Sequence, residues 1–339
     1  MTATASDAVA SLPGQCVPYV LRSGDGISHL AAGQVVRTLA GTRETNGGFG
    51  ALYAELPLDP RPIPMHYHNY EHDTWFCTRG KVQVWFNGQS RVLTPGDFAY
   101  VKPGDVHAYQ SRATHSSFFG VVAPGGWEEF FADVGEVWSS AAFPPANRAF
   151  DFSRMGPGMA KFDVHPVPDA PYVEPLPMGE GERELPAGIV SYALEAGYGD
   201  RKVLFDHLST AVMTTAQNEG GVDMRVIEAG RGSVLPAHRL ASAHQFLFLL
   251  DGAVAITLDG EEHRLFAGDA ANIPAGCTYG STVLSGSARW VVASSACTAP
   301  TIWDAGGRPT REHIFPFEPS SEGDLERVRE LRGLDVTFA

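Results

Sequence analysis

Four glycines in the first half of the chain recur in the second half at one fixed offset. Gly80, Gly88, Gly96 and Gly104 each stand 172 residues before Gly252, Gly260, Gly268 and Gly276, and Asp97 stands the same distance before Asp269. Glycines that recur in register mark the same tight turns, because such turns demand backbone angles that other residues resist. The chain therefore contains a gap-free repeat, and two copies of one β-barrel are expected.

At 339 residues there is enough chain for two such units, each burying its own core. With 44% hydrophobic and 19% charged residues, 37 glycines and 24 prolines, the composition suits many short strands joined by tight turns better than long helices. The expected fold class is all-β, with a few short helices. We expect a loose tail over 1–15, a first barrel over 16–138, a Pro/Gly-rich connection over 139–188, a second barrel over 189–300 and an extension over 301–339. Strands are expected early in the first barrel at 17–21, 34–39 and 49–56. Trp127, Phe130, Phe131 and Val134 recur at helical spacing and predict a short helix within 127–137; Leu325, Val328 and Leu331 predict another within 322–331. The connection carries Phe150, Phe152, Met155, Met159 and Phe162, more apolar side chains than a solvated linker needs. It is expected to pack on the second barrel or on the mouth of the first, as plain structure or as a lid.

A formal net charge of −14 argues against nucleic acid as a partner, since that affinity rests on cationic contacts to phosphate. No run of 18 apolar residues suggests a membrane span, and the first ten residues lack the basic start and apolar run of a signal peptide. Cys16, Cys77, Cys277 and Cys297 form no C-x-x-C pair, and no N-x-S/T sequon occurs. The cytoplasm is the expected compartment.

The chemistry concentrates in residues 64–80. His66 and His68 are two apart, so on a strand both imidazoles point to one face. Trp75, Phe76 and Cys77 continue into an apolar strand ending at Gly80, and a residue near its start, Glu71, His72 or Asp73, can turn back toward that face. Of the three, Asp73 is expected to do so. His107 follows the turns at Gly96 and Gly104 and begins a further strand. Three histidines and a carboxylate would make a nitrogen/oxygen site suited to a divalent transition metal. His29, His115, His165, His207, His244, His263 and His313 are read as packed or surface residues.

The pattern His-x-His-x4-Asp-x6-Gly over 66–80, followed by Gly-x7-Gly-x2-His over 96–107, resembles the two signature motifs of the cupin superfamily, with Asp73 where that family usually places a glutamate. Residues 80–85, 95–100 and 121–130 narrow the resemblance to the flavonol-cleaving bicupins, the quercetin 2,3-dioxygenases, over roughly a third of the chain. The resemblance implies two jelly-roll barrels, with His66, His68, Asp73 and His107 around one metal: Cu, Ni, Co, Mn or Fe, with zinc ranked behind them. Asp73 would be a ligand or a base acting from further back, and Glu71 could replace it only if the turn were shorter than the family pattern. Trp75, Tyr109, Phe118 and Val122 match positions that line the family's flavonol pocket, and Trp127 is a further candidate. Each could equally be plain core.

The repeat tests the metal reading internally. At the same offset His66 maps to His238, but His68 maps to Leu240, Asp73 to Gln245 and His107 to Tyr279. One metal per chain, in the first barrel, is expected. The resemblance then implies a dioxygenase acting with O2 on a flavonol or a similar small enol-bearing aromatic, with Asp73 taking the substrate's hydroxyl proton and carbon monoxide lost. Association as a homodimer through sheet edges is a further expectation. The rival functions are an oxygenase of aromatic polyketides, a redox-neutral isomerase, lyase or cyclase on the same metal, and a non-enzymatic small-molecule binder.

Overall fold

The structure, a computed structural model, describes residues 11–59, 61–145, 148–219, 221–295, 299–317 and 321–339. Most of the expected N-terminal tail, and Cys297, lie outside the described residues.

Four antiparallel sheets form two barrels, each made of one eight-stranded and one five-stranded sheet. All eight repeat glycines have positive φ. At Gly80 an added Cβ would meet the His115 carbonyl oxygen at 2.3 Å, and at Gly252 it would meet the Ser287 carbonyl oxygen at 2.3 Å. His115 and Ser287 are themselves 172 residues apart. The repeat is thus written into a close backbone approach that any side chain would obstruct.

In the first barrel the large sheet runs Glu136–Val137, Ile27–Ala31, Gln34–Ala40, Gly50–Pro57, His115–Ala123, His72–Arg79, Phe98–Val101, Tyr192–Leu194. The small sheet runs His165–Pro166, His66–Tyr67, His107–Ser111, Val82–Phe86, Gln89–Leu93. Alternation along these strands sends Val36, Leu52, Ala54, Trp75, Cys77, Val84 and Phe118 into one buried cluster between the two sheets. Outward residues of the large sheet meet those of the second barrel: Phe119 stacks on Phe246 and Phe248, with centroids 6.1 and 5.2 Å apart.

Two strands depart from the sequence expectation. Tyr19–Leu21 was assigned to the first barrel but pairs with Ala270–Ile273 of the second, and Tyr192–Leu194, assigned to the second, pairs with Phe98–Val101 of the first. The host strands are themselves related by the 172-residue offset, so each barrel completes its sheet with the strand that precedes the other. Adjacency in sequence could not reveal this, because an edge strand is indifferent to which sheet supplies its partner. The strand Ile27–Ala31 was not foreseen.

The helix expected within 127–137 forms as a 3-10 turn at Trp127–Glu129 followed by Phe130–Val134, and the C-terminal one as Asp324–Glu330. The connection holds an unforeseen helix, Met155–Lys161, whose Gly156, Pro157 and Gly158 are poor helix formers. Packing overrides propensity there. A Cβ on Gly158 would stand 2.3 Å from Val134 Cγ1, so the glycine lets this helix lie directly on Phe130–Val134. Met155, Met159 and Phe162 then join Phe130, Val134 and Val164 in one cluster, which puts this segment on the first barrel.

Candidate metal centre

His66 stands opposite His107 across the strand pair, and both imidazoles enter the barrel between the two sheets. His68 follows two residues after His66. One ligand atom from each ring lies within 4.8 Å of the others, and all three histidines are buried. Each Nδ1 faces a backbone carbonyl: His66 that of Pro64 at 2.8 Å, His68 that of Asp163 at 3.0 Å, His107 that of Asp105 at 2.9 Å. Donation from Nδ1 leaves the lone pair on Nε2, the arrangement a metal-ligating imidazole needs.

Asp73 enters from the opposite sheet. Its Oδ2 lies 3.2 Å from His107 Nε2 and 3.4 Å from His68 Nε2. Both of those nitrogens are buried and make no hydrogen bond among the described residues. Bare acceptors facing one carboxylate oxygen in a dry interior are costly unless a cation lies between them, and the residues present fit one. Burial would push the Asp73 carboxyl up, but His107 and His68 outweigh it and hold the group well below the usual carboxylate range. The carboxylate stays charged. Burial, reinforced by the neighbouring rings of His107 and His68, drives His66 well below its ordinary value; at His68 burial acts the same way, but Asp73 prevails and the net shift is upward.

Of the two other candidates at the start of this strand, His72 points to the opposite face and meets Tyr100 Oη at 2.7 Å. Glu71 does not line the cavity beside the histidines; burial pushes it up to about 7, and its Oε2 has no hydrogen-bond partner among the described residues.

That cavity, of about 310 Å³, is large enough for a small aromatic molecule. His66, Asp73 and His107 line it together with Trp75, Tyr109, Phe118, Val122 and Trp127. Trp127 also sets its edge against His68, with centroids 5.1 Å apart. Phe152, Met155 and Met159 from the connection close another side. Their spacing was a helical signal, masked by the glycines and proline around them.

Gln34 and Asp163 were not singled out from sequence. Asp163, with φ +54°, gives its carbonyl to His68 and its carboxylate to the Asn69 backbone N–H at 2.6 Å, the Asn69 side-chain amide at 2.7 Å and His165 Nε2 at 2.6 Å. The connection therefore orients the His68 imidazole. Replacing Asp163 by alanine is expected to weaken metal binding by about 10- to 100-fold, while Asp163→Asn, which tolerates the same backbone and keeps an acceptor oxygen, retains most of it. Competition with a chromogenic chelator measures both.

In the second barrel His238 keeps the position of His66, down to an Nδ1 contact of 2.8 Å with the Pro236 carbonyl and a register opposite Tyr279. Tyr279 and Phe338 pack on its ring instead of further imidazoles, and among the described residues no three-ligand group forms there. Burial lowers His238 to about 4 and His207 to about 4. The unfolded chain therefore binds more protons than the folded one between pH 6.5 and 4. Stability should be full above pH 6.5 and fall as pH drops through this window, by up to about 3 kcal/mol per histidine. Urea titrations across pH 7 to 4 should show that slope, and His238→Gln should remove its share.

These observations define a two-barrel protein with a three-histidine pocket in the first barrel. The chain matches a family model described as Cupin domain over residues 55–117 and 224–294, one stretch in each barrel. It is 26% identical over 330 residues to the quercetin 2,3-dioxygenase of Bacillus subtilis, covering 96% of both chains. The quercetin 2,3-dioxygenase of Aspergillus japonicus matches at 28% identity over 142 residues, 39% of this chain and 40% of that one. Among solved structures, salicylate 1,2-dioxygenase from Pseudaminobacter salicylatoxidans superposes with a TM-score of 0.55 at 14% identity, covering 83% of this chain and 84% of that chain, and so shares the fold. No helix among the described residues is long and apolar enough to cross a membrane.

Proposed function

We propose that this two-barrel protein is a metal-dependent dioxygenase that cleaves a flavonol, or a closely related enol-bearing aromatic, with O2 in its first barrel. The observation that carries the reading is the convergence of three buried, tautomer-fixed imidazoles and a charged carboxylate beside an apolar cavity. The likeness to the B. subtilis quercetin 2,3-dioxygenase over nearly the whole chain supports it.

His66, His68 and His107 would hold a divalent transition metal, which supplies Lewis acidity and access to dioxygen. Trp75, Phe118, Val122 and Trp127 would sandwich a flat ring system and exclude water. Asp73, anionic and within reach of the same point, would accept the proton of the substrate's enolic hydroxyl. Tyr109, which donates its hydroxyl to Gln34 Oε1 at 2.5 Å, would present its ring to the substrate. The overall reaction balances as one flavonol and one O2 giving one cleaved ester and one carbon monoxide. Among the described residues no second three-ligand group forms, which supports one metal per chain.

An oxygen electrode coupled to carbon monoxide detection, run on metal-loaded protein with a flavonol, is the test. Equal uptake and release is the expected result. Consumption of substrate without oxygen would transfer the site to redox-neutral chemistry, and oxygen uptake restricted to polyketide phenols would move the substrate class.

A further inference from the structure

The N-terminal strand that crosses to the second barrel brings a surface thiol to a buried histidine 228 residues away. Tyr19 stands opposite Asn272 in the strand pairing, and just before that strand Cys16 Sγ lies 3.8 Å from His244 Nδ1. His244 is 3% exposed, with its backbone N–H bound to Ser295 Oγ and its ring edge-on to Phe49. The Asn272 amide nitrogen donates to the carbonyls of Val17 at 3.0 Å and Glu44 at 3.3 Å, which turns its Oδ1 to His244 Nε2 at 2.8 Å. An amide oxygen only accepts, so Nε2 carries the ring proton and Nδ1 keeps its lone pair. Among the described residues that lone pair meets the thiol and no other hydrogen-bond partner.

A nucleophile within reach of a base, with the base oriented by a third group, is the arrangement that activates a thiol. Burial lowers His244, against the Asn272 contact, while partial burial, reinforced by the Glu44 carboxylate, pushes the Cys16 thiol up. Both groups therefore rest neutral near pH 7, and the proton moves only as the sulfur reacts. Glu44 and Tyr19 are the other titratable groups acting on the thiol, and the Glu44 carboxylate disfavours an anionic reagent.

We infer that Cys16 is a modification site, with His244 as its base, that captures a neutral activated alkene such as an enone. The S–H proton passes to His244 Nδ1 as sulfur bonds to the β-carbon, and the ring returns it to the resulting enolate. The thiol thus adds across one C=C bond, and no oxidant or reductant is needed. This site is separate from the metal centre and stands whether or not the dioxygenase reading does.

N-ethylmaleimide, a neutral activated alkene, is the probe, applied to the intact protein with the rate at Cys16 read by peptide mass spectrometry, which separates it from the other cysteines. The wild-type rate should change by less than about threefold from pH 6.5 to 8, because the neutral imidazole is available throughout. A thiol that reacts only as free thiolate gains about tenfold per pH unit, and that slope in the wild type overturns the inference without recourse to a variant. His244→Gln should slow Cys16 by about tenfold or more at pH 7 and impose the steep slope; an unchanged rate overturns the role of His244. A negatively charged maleimide, its rate normalised to that with a small free thiol, should react at Cys16 about threefold or more slowly than the neutral one. Equal normalised rates overturn the preference for neutral alkenes.

Discussion

Asp73→Asn is expected to lower kcat for oxygen-dependent flavonol cleavage by about 10² to 10⁴ while leaving KM within a few-fold of wild type. Asparagine matches aspartate in size and keeps an oxygen toward His68 and His107, so the packing around Asp73, which is 6% exposed, survives. What it loses is an anionic oxygen 3.2 Å from His107 Nε2, and with it the proposed acceptor for the enolic proton. Substrate binding rests on the apolar walls, which the substitution does not touch. Stopped-flow kinetics with flavonol in excess separate the two effects. A KM rise with unchanged kcat would mean that Asp73 only shapes the cavity.

His107→Ala should be more damaging still, with kcat/KM reduced by on the order of 10³ or more and bound metal lost on dialysis. The ring has His66 4.3 Å and His68 5.2 Å away between centroids, and among the described residues no other histidine joins this group. A loss of stability would confound this result, so the control is His238→Ala. His238 sits in the same register of the second barrel, is equally buried and packs on Tyr279, yet belongs to no ligand group. It should cost comparable folding stability and leave activity unchanged.

Much of the fold and of the candidate site could be read from the sequence because both rest on strongly local rules. Turn glycines at one offset marked the repeat, since their positive φ is a property of single residues. Two-residue spacing brought His66 and His68 to one place, and strand alternation put Asp73 and Trp75 inside while His72 turned to Tyr100. Asymmetry between the barrels was legible from Leu240, Gln245 and Tyr279 at the positions equivalent to His68, Asp73 and His107.

What escaped was decided by tertiary contact. The crossing of Tyr19–Leu21 and Tyr192–Leu194 depends on which sheet edge lies nearest, and neither segment encodes its destination. Met155–Lys161 is helical because Gly158 lets it rest on Phe130–Val134, against the propensity of its own residues. Asp163, in a turn of positive φ, acts on His68 through its backbone carbonyl and on Asn69 through its carboxylate, and the first of these functions is not announced by its identity.

The central claim is one metal, held in the first barrel by His66, His68 and His107. Elemental analysis of the intact protein, purified without chelator and compared with His66→Ala and His238→Ala, tests it most directly. The account predicts one transition-metal ion per chain in the wild type, one in His238→Ala and none in His66→Ala. Two ions per chain, or metal that persists in His66→Ala and disappears in His238→Ala, would contradict it.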